Sequence, residues 1–261
     1  MQNQFKGMRN LYEDFCVQFD ECDGFYEWND SKTLVSGMIC KAPAWYEKDK
    51  RWYLKCADYK IENEKESTWY AKQYPTEGSV EPMSDRYVMK YFQLEMGENL
   101  IATHGKKRWV ILLKQYNSSW FNKIYPKEGW LCIPVFSYKH RHYQEMVIDD
   151  QSFNSPNRFY LPPRLDLKSP GLIEESAAHL DAMQIIETKY ITPCFIDNEN
   201  LNIKQCFKIS VFIKKLMITH FLKSIGILDV FLDDNSEDKT YYDLFKEYVN
   251  KILDEETDNL K

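Results

Sequence analysis

A chain of 261 residues with 44% hydrophobic side chains carries enough apolar mass for one large domain or two modest ones. Only nine glycines, and no Walker, GxGxxG, GxSxG or HExxH pattern, argue against Gly-rich nucleotide folds and the common hydrolase signatures. The net charge of −6 is uneven: residues 1–92 carry −3, residues 93–170 carry +4 and residues 171–261 carry −7, so the middle attracts phosphate and the flanks repel it.

Residues 1–15 mix Lys6, Arg9, Glu13 and Asp14 with apolar side chains and do not read as a secretory leader. No apolar run approaches the roughly 20 residues that span a bilayer. The seven cysteines include no CxxC pair, which reads as reduced, mostly buried thiols rather than a structural zinc site. A cytoplasmic protein away from membranes is expected.

In chain order, Phe5, Met8, Tyr12, Phe15 and Phe19 recur at helical spacing and predict a helix over 5–19. Thr33–Ser36, Met38–Cys40 and Trp52–Cys56 read as strands, with a charged turn over 45–51. Residues 61–67 are charged and expected at the surface. Ser84 is placed to cap a helix over 84–94. The centre is strand-rich: Gly97–Ile101, Lys106–Leu113 and Gly129–Ser137, with a long loop over 116–127 between the last two. A basic, aromatic loop over 138–144 follows, then strand candidates at Met146–Ile148 and Phe159–Leu161. Over 173–192 composition favours a helix while 180–185 suits a strand, and both stay open. Residues 203–222 read as a helix stopped at Gly226. An acidic loop over 229–239 precedes a closing helix, where Leu244, Phe245, Tyr248, Val249, Ile252 and Leu253 follow a Thr240/Asp243 capping pattern.

The class is α+β, divided into an α/β extension (1–94), a central β domain (95–192) and a helical segment (193–261). His140 and His142 lack a third ligand nearby and read as a basic loop. Asp149-Asp150 reads as a solvated turn, and His220, inside an apolar segment, as structural. Lys106, Lys107 and Arg108 enter one strand, preceded by His104. Lys139, His140 and Arg141 leave another, flanked by Tyr138 and Tyr143. On neighbouring strands both clusters fall at one rim, where cations meet phosphates and tyrosines stack on bases. An ordinary solvated rim accounts for the same pattern equally well.

The order of these features resembles the MazF/PemK toxins over roughly residues 95–192. Gly97-Glu98 opens a strand, Arg108 opens the next, an apolar strand ends near Pro134, and Ser176, Leu180 and Gln184-Ile185 mark a distal one. The resemblance implies a small SH3-like β-barrel, usually dimeric. It implies cutting of single-stranded RNA without metal or cofactor, where an arginine and a hydroxyl assist attack by the 2′-hydroxyl and leave a 2′,3′-cyclic phosphate. Arg108 takes the arginine's place, to hold the scissile phosphate, and Ser137 the hydroxyl's. His104, Lys106, Lys107, Tyr138, Lys139, His140 and Arg141 become RNA contacts, and Gln184 a structural residue of the dimer-facing strand. Trp109 stands where the family has proline. A second implication is a non-catalytic homologue that binds a protein partner, as in CRISPR-linked defence signalling where one such protein sequesters a sigma factor.

Overall fold

The structure is a computed structural model that describes residues 24–46, 52–73, 86–94, 101–102, 104–117, 128–138, 143–164 and 166–227, with 243, 246 and 247. The strands are β1 (Tyr26–Asn29), β2 (Ile39–Tyr46), β3 (Trp52–Asp58), β4 (Thr68–Gln73), β5 (Ile101–Ala102), β6 (His104–Asn117), β7 (Glu128–Ser137), β8 (Arg158–Leu161), β9 (Ser176–His179), β10 (Gln184–Glu187), β11 (Thr192–Pro193), β12 (Ile196–Asn198) and β13 (Ile203–Ile209). The described helices are α1 (Arg86–Phe92), α2 (Tyr143–Gln151) and α3 (Val211–Ser224). The class is α+β, as expected. Two compact units are drawn from within Met1–Pro43 with Lys107–Lys261, and from within Ala44–Lys106.

A seven-stranded sheet runs in the order β11-β2-β6-β7-β9-β8, with β10 also paired to β7. Among the described residues this sheet does not close into a barrel. One edge of β7 explains the branching. Its C-terminal end pairs with β9 (Val135↔Ala178) and its N-terminal end with β10 (Cys132↔Gln184). The β9–β10 side carries three more residues than β7 between these pairs, and the 3-10 turn Leu180–Ala182 absorbs them. Gly129, opposite Glu187, sits where a Cβ would come 2.8 Å from the Ile186 carbonyl oxygen, so glycine is what allows β10 to lie this close. Sheets are built across the expected segment boundaries: β2 joins β6, and β1 pairs antiparallel with β13.

The core follows from strand alternation. Trp109, Ile111 and Leu113 of β6 share a face with Ile133 and Val135 of β7, Ala178 of β9, and Phe159 and Leu161 of β8. Phe207 and Ile209 of β13 and Phe212, Ile213, Leu216 and Met217 of α3 close over them. Burying each large apolar side chain here stabilises the fold by about 1.5–3 kcal/mol. Helix α3 starts where Ser210 accepts a hydrogen bond from the Ile213 amide at 3.3 Å. It stops where Gly226 takes a φ of 72° and donates its amide to the Lys223 carbonyl. In the smaller unit, β4-β3-β5 form a sheet whose Trp69 packs on Tyr91 and Phe92 of α1, at 5.1 and 5.6 Å between ring centroids.

Several expectations need correction. Met146–Ile148 is helical, within α2. Its buried positions Val147, Asp150 and Gln151 recur at helical spacing, and two of the three are polar, so an apolar pattern could not reveal it. Residues 203–209 are strand rather than helix: Gln205, Phe207 and Ile209 alternate inward, and only Ser210 begins α3. Thr33–Ser36 is not a strand, and Met38 makes an isolated bridge to Lys208. The open stretch 173–192 resolves as β9 and β10. The helix expected over 5–19, the cap at Ser84, and all of the closing helix but residues 243, 246 and 247 lie outside the described residues. Among the described residues no helix is long and apolar enough to cross a membrane.

Candidate functional site

Behind the apolar core, the other face of the same strands mixes buried apolar side chains (Val110, Leu112, Cys132 and Ala177) with the polar groups Arg108, His179 and Arg158. Trp109 pairs with Val135 across β6 and β7, which sets Arg108 beside Phe136. The Arg108 guanidinium carbon lies 4.1 Å from the Phe136 ring centroid. This is cation–π contact. Strand β7 lies between β6 and β9, so Phe136 has Arg108 on one flank and His179 on the other. The His179 and Phe136 ring centroids are 4.2 Å apart at a tilt of 46°. Both Arg108 and His179 are half-buried.

His179 faces Arg158 across β9 and β8. Arg158 is committed elsewhere: its Nε donates to Asp150 Oδ1 and Oδ2 at 2.9 and 3.0 Å, and its Nη2 to Ser155 Oγ at 2.8 Å. Asp150 is buried in α2 and also accepts from the Tyr138 hydroxyl at 2.5 Å. A buried carboxylate needs this many donors to repay its lost hydration. The Tyr138 ring stacks near Tyr160, whose hydroxyl donates to Glu175 Oε1 at 2.7 Å. Burial pushes the Glu175 carboxyl up to about 7. It raises the Tyr138 and Tyr160 phenols too, for Tyr138 with the neighbouring Asp150 charge adding to the effect. The His179 imidazole is lowered, first by burial; the cations Arg158 and Arg108 act in the same direction, while Asp181 and Asp150 oppose it.

The sequence-derived site is thus divided by the sheet. Arg108 and Tyr138 share the polar face. Ser137 ends β7 opposite Ser176, and alternation turns it away from Phe136 to the Val135 side. Arg108 and Ser137 therefore do not converge on one phosphate. Lys106 and Lys107 are exposed at the start of β6, where Lys107 alternates away from Arg108. His104 opens β6. Lys139, His140 and Arg141 lie outside the described residues. Gln184 pairs with Cys132 and donates to the Ala182 carbonyl at 3.2 Å, a local structural contact. His220 is buried, with its Nε2 2.7 Å from the Ser155 carbonyl and its ring against Phe153. Asp150 is no solvated turn but the buried hub of the polar network.

His179 was not distinguishable in the sequence. It follows two alanines in a stretch of undecided structure, and only the β7–β9 register places it beside Phe136. Among the described residues no three of His, Cys, Asp and Glu are grouped to hold a metal ion. The described cysteines are free thiols, and burial pushes Cys132 up to about 12. No family model, no curated protein and no solved structure matches the chain.

Proposed function

We propose that single-stranded RNA is bound and cut on the Arg108 face of β6, β7 and β9, in the manner of the MazF/PemK toxins that the strand order resembles. One observation carries this reading: Arg108 rests on Phe136 with His179 on the far flank, a cation, an aromatic ring and an imidazole in a row. The guanidinium fork matches phosphate oxygens and stabilises the charge that grows on them during transfer. Aromatic rings at such sites stack on unpaired bases. The SH3-like barrel and its dimer belong to this proposal, resting on the order β6, β7, β9, β10 along the chain. The test is incubation of the protein with mixed-sequence single-stranded RNA in chelator. The reading expects fragments with 2′,3′-cyclic phosphate ends, and a rate loss of about 10²–10³ for Arg108→Ala. Absence of such ends, or equal cutting by R108A, sinks it.

A second reading, a non-catalytic module that grips a protein partner, is favoured by a separate feature. Val211, Ile218 and Ile225 recur every seven residues along α3 and its C-cap, 53%, 37% and 48% exposed. Ile218→Asp then weakens partner recovery in a pull-down. Recovery of RNA and no protein counts against this reading.

A further inference from the structure

Resting on the cleavage reading, we infer that His179 is the general base of the site, taking the proton of the ribose 2′-hydroxyl in the role that strand alternation denies to Ser137.

Three observations lead there. First, the imidazole is on the face where Arg108 would hold the phosphate, and one ring, Phe136, touches both. Second, among the described residues neither imidazole nitrogen is tied up in a hydrogen bond, in contrast to His220, whose Nε2 is bound to the Ser155 carbonyl. His179 keeps a nitrogen for substrate. Third, burial holds the imidazole below its ordinary value. Arg158 from β8 and Arg108 from β6 act with it, against the charges of Asp181 from the following turn and Asp150 from α2; Asp150 is paired with Arg158, and Asp181 accepts from Asn157 at 2.8 Å. A neutral imidazole is what a base at pH 7 requires.

In the step, an imidazole nitrogen accepts the 2′-hydroxyl proton. The 2′-oxygen forms a bond to phosphorus while the bond from phosphorus to the 5′-oxygen breaks. The electron pair leaves with the 5′-oxygen, which takes a proton from solvent, and His179 then returns its proton to solvent. The products are a 2′,3′-cyclic phosphate and a 5′-hydroxyl, with no water consumed. Arg108 balances the charge on the non-bridging oxygens throughout.

The experiment compares wild type, His179→Asn and His179→Ala on one single-stranded RNA. Binding is read separately with a 2′-O-methyl analogue that cannot be cut. The expected result is a loss of about 10²–10⁴ in kcat for H179N, with binding of the analogue held within about threefold. Added imidazole restores part of the H179A rate. The wild-type rate falls on acidification below pH 6.5, and H179N lacks that limb. Equal cutting by H179N, or a wild-type profile without an acid limb, overturns the role of His179 while leaving the cleavage reading intact. A wild type that makes no cyclic phosphate overturns both. If neither variant folds, a wild-type profile without an acid limb still overturns the role of His179.

Discussion

Trp109, Val135, Ala178 and Phe159 point from four neighbouring strands into a core roofed by α3 and β13. From the next residues of the same strands, Arg108, Phe136, His179, Arg158 and Tyr160 point the other way, where Arg158 meets Asp150 of α2. The two faces share backbone and register but not their physics. On the core face a side chain contributes by area removed from water, and its neighbours are interchangeable apolar groups. On the other face the charged groups are paired by name, Asp150 with Arg158, and removing one changes the charge felt by the other. Residues adjacent in sequence are consequently separated in environment, and residues distant in sequence, such as 108 and 179, flank the same ring.

Removing Arg158 breaks the polar face most severely. Asp150 has no exposed side-chain surface and relies on Arg158 at 2.9 Å. Arg158→Ala leaves that carboxylate with only the Tyr138 hydroxyl, and a destabilisation of about 3–5 kcal/mol is expected in denaturant melts. Arg158→Met with Asp150→Asn recovers most of it, because the pair vanishes together. A loss below about 1 kcal/mol for R158A would show that the polar face does not hold its buried charge this way.

A smaller effect sharpens the contrast through pH. Burial raises Glu175 from 4.5 to about 7 in the folded protein. The stability tied to its protonated form is complete below pH 4.5 and is lost as pH rises through about 7. Glu175→Gln therefore flattens the fall in stability across that window, by on the order of 2 kcal/mol between its ends. The depressed His179 and His220 act in the opposite sense, losing stability on acidification below 6.5. The difference between wild type and E175Q isolates the carboxyl. Parallel pH curves would contradict its placement.

The central strands were legible in the sequence, because Trp109–Leu113 and Ile133–Val135 are short continuous apolar runs, the pattern of strands buried on both faces, and Val110 and Leu112 are indeed as buried as Ile111. Gly226 as a helix stop and His220 as a structural residue were legible for similar local reasons. The polar face was not. Helix α2 buries Asp150 and Gln151 as well as Val147, so Met146-Val147-Ile148 imitated a strand while Ile148 in fact faces solvent. Residues 203–209 imitated a helix because Ile203, Cys206 and Phe207 are spaced three and four apart. The strand there is set by pairing to β1 and β12, which are remote in sequence. Arg108 and Ser137 both came from the family resemblance, which rests on strand order and does not encode side-chain direction. Strand alternation sets Ser137 on the face opposite Phe136, because one residue is the smallest shift that reverses a face. His179 depends on a register between strands some forty residues apart, which local pattern does not encode.

The most direct test of the division between faces compares R108A with Ser137→Ala on the same single-stranded RNA. Ser137 is a half-buried side chain turned away from Arg108, so S137A should change both stability and cutting little, within about 0.5 kcal/mol and twofold in rate. R108A should lose about 10²–10³ in rate. A collapse of cutting in S137A, with R108A near wild type, would place the chemistry on the opposite side of the sheet and contradict the account.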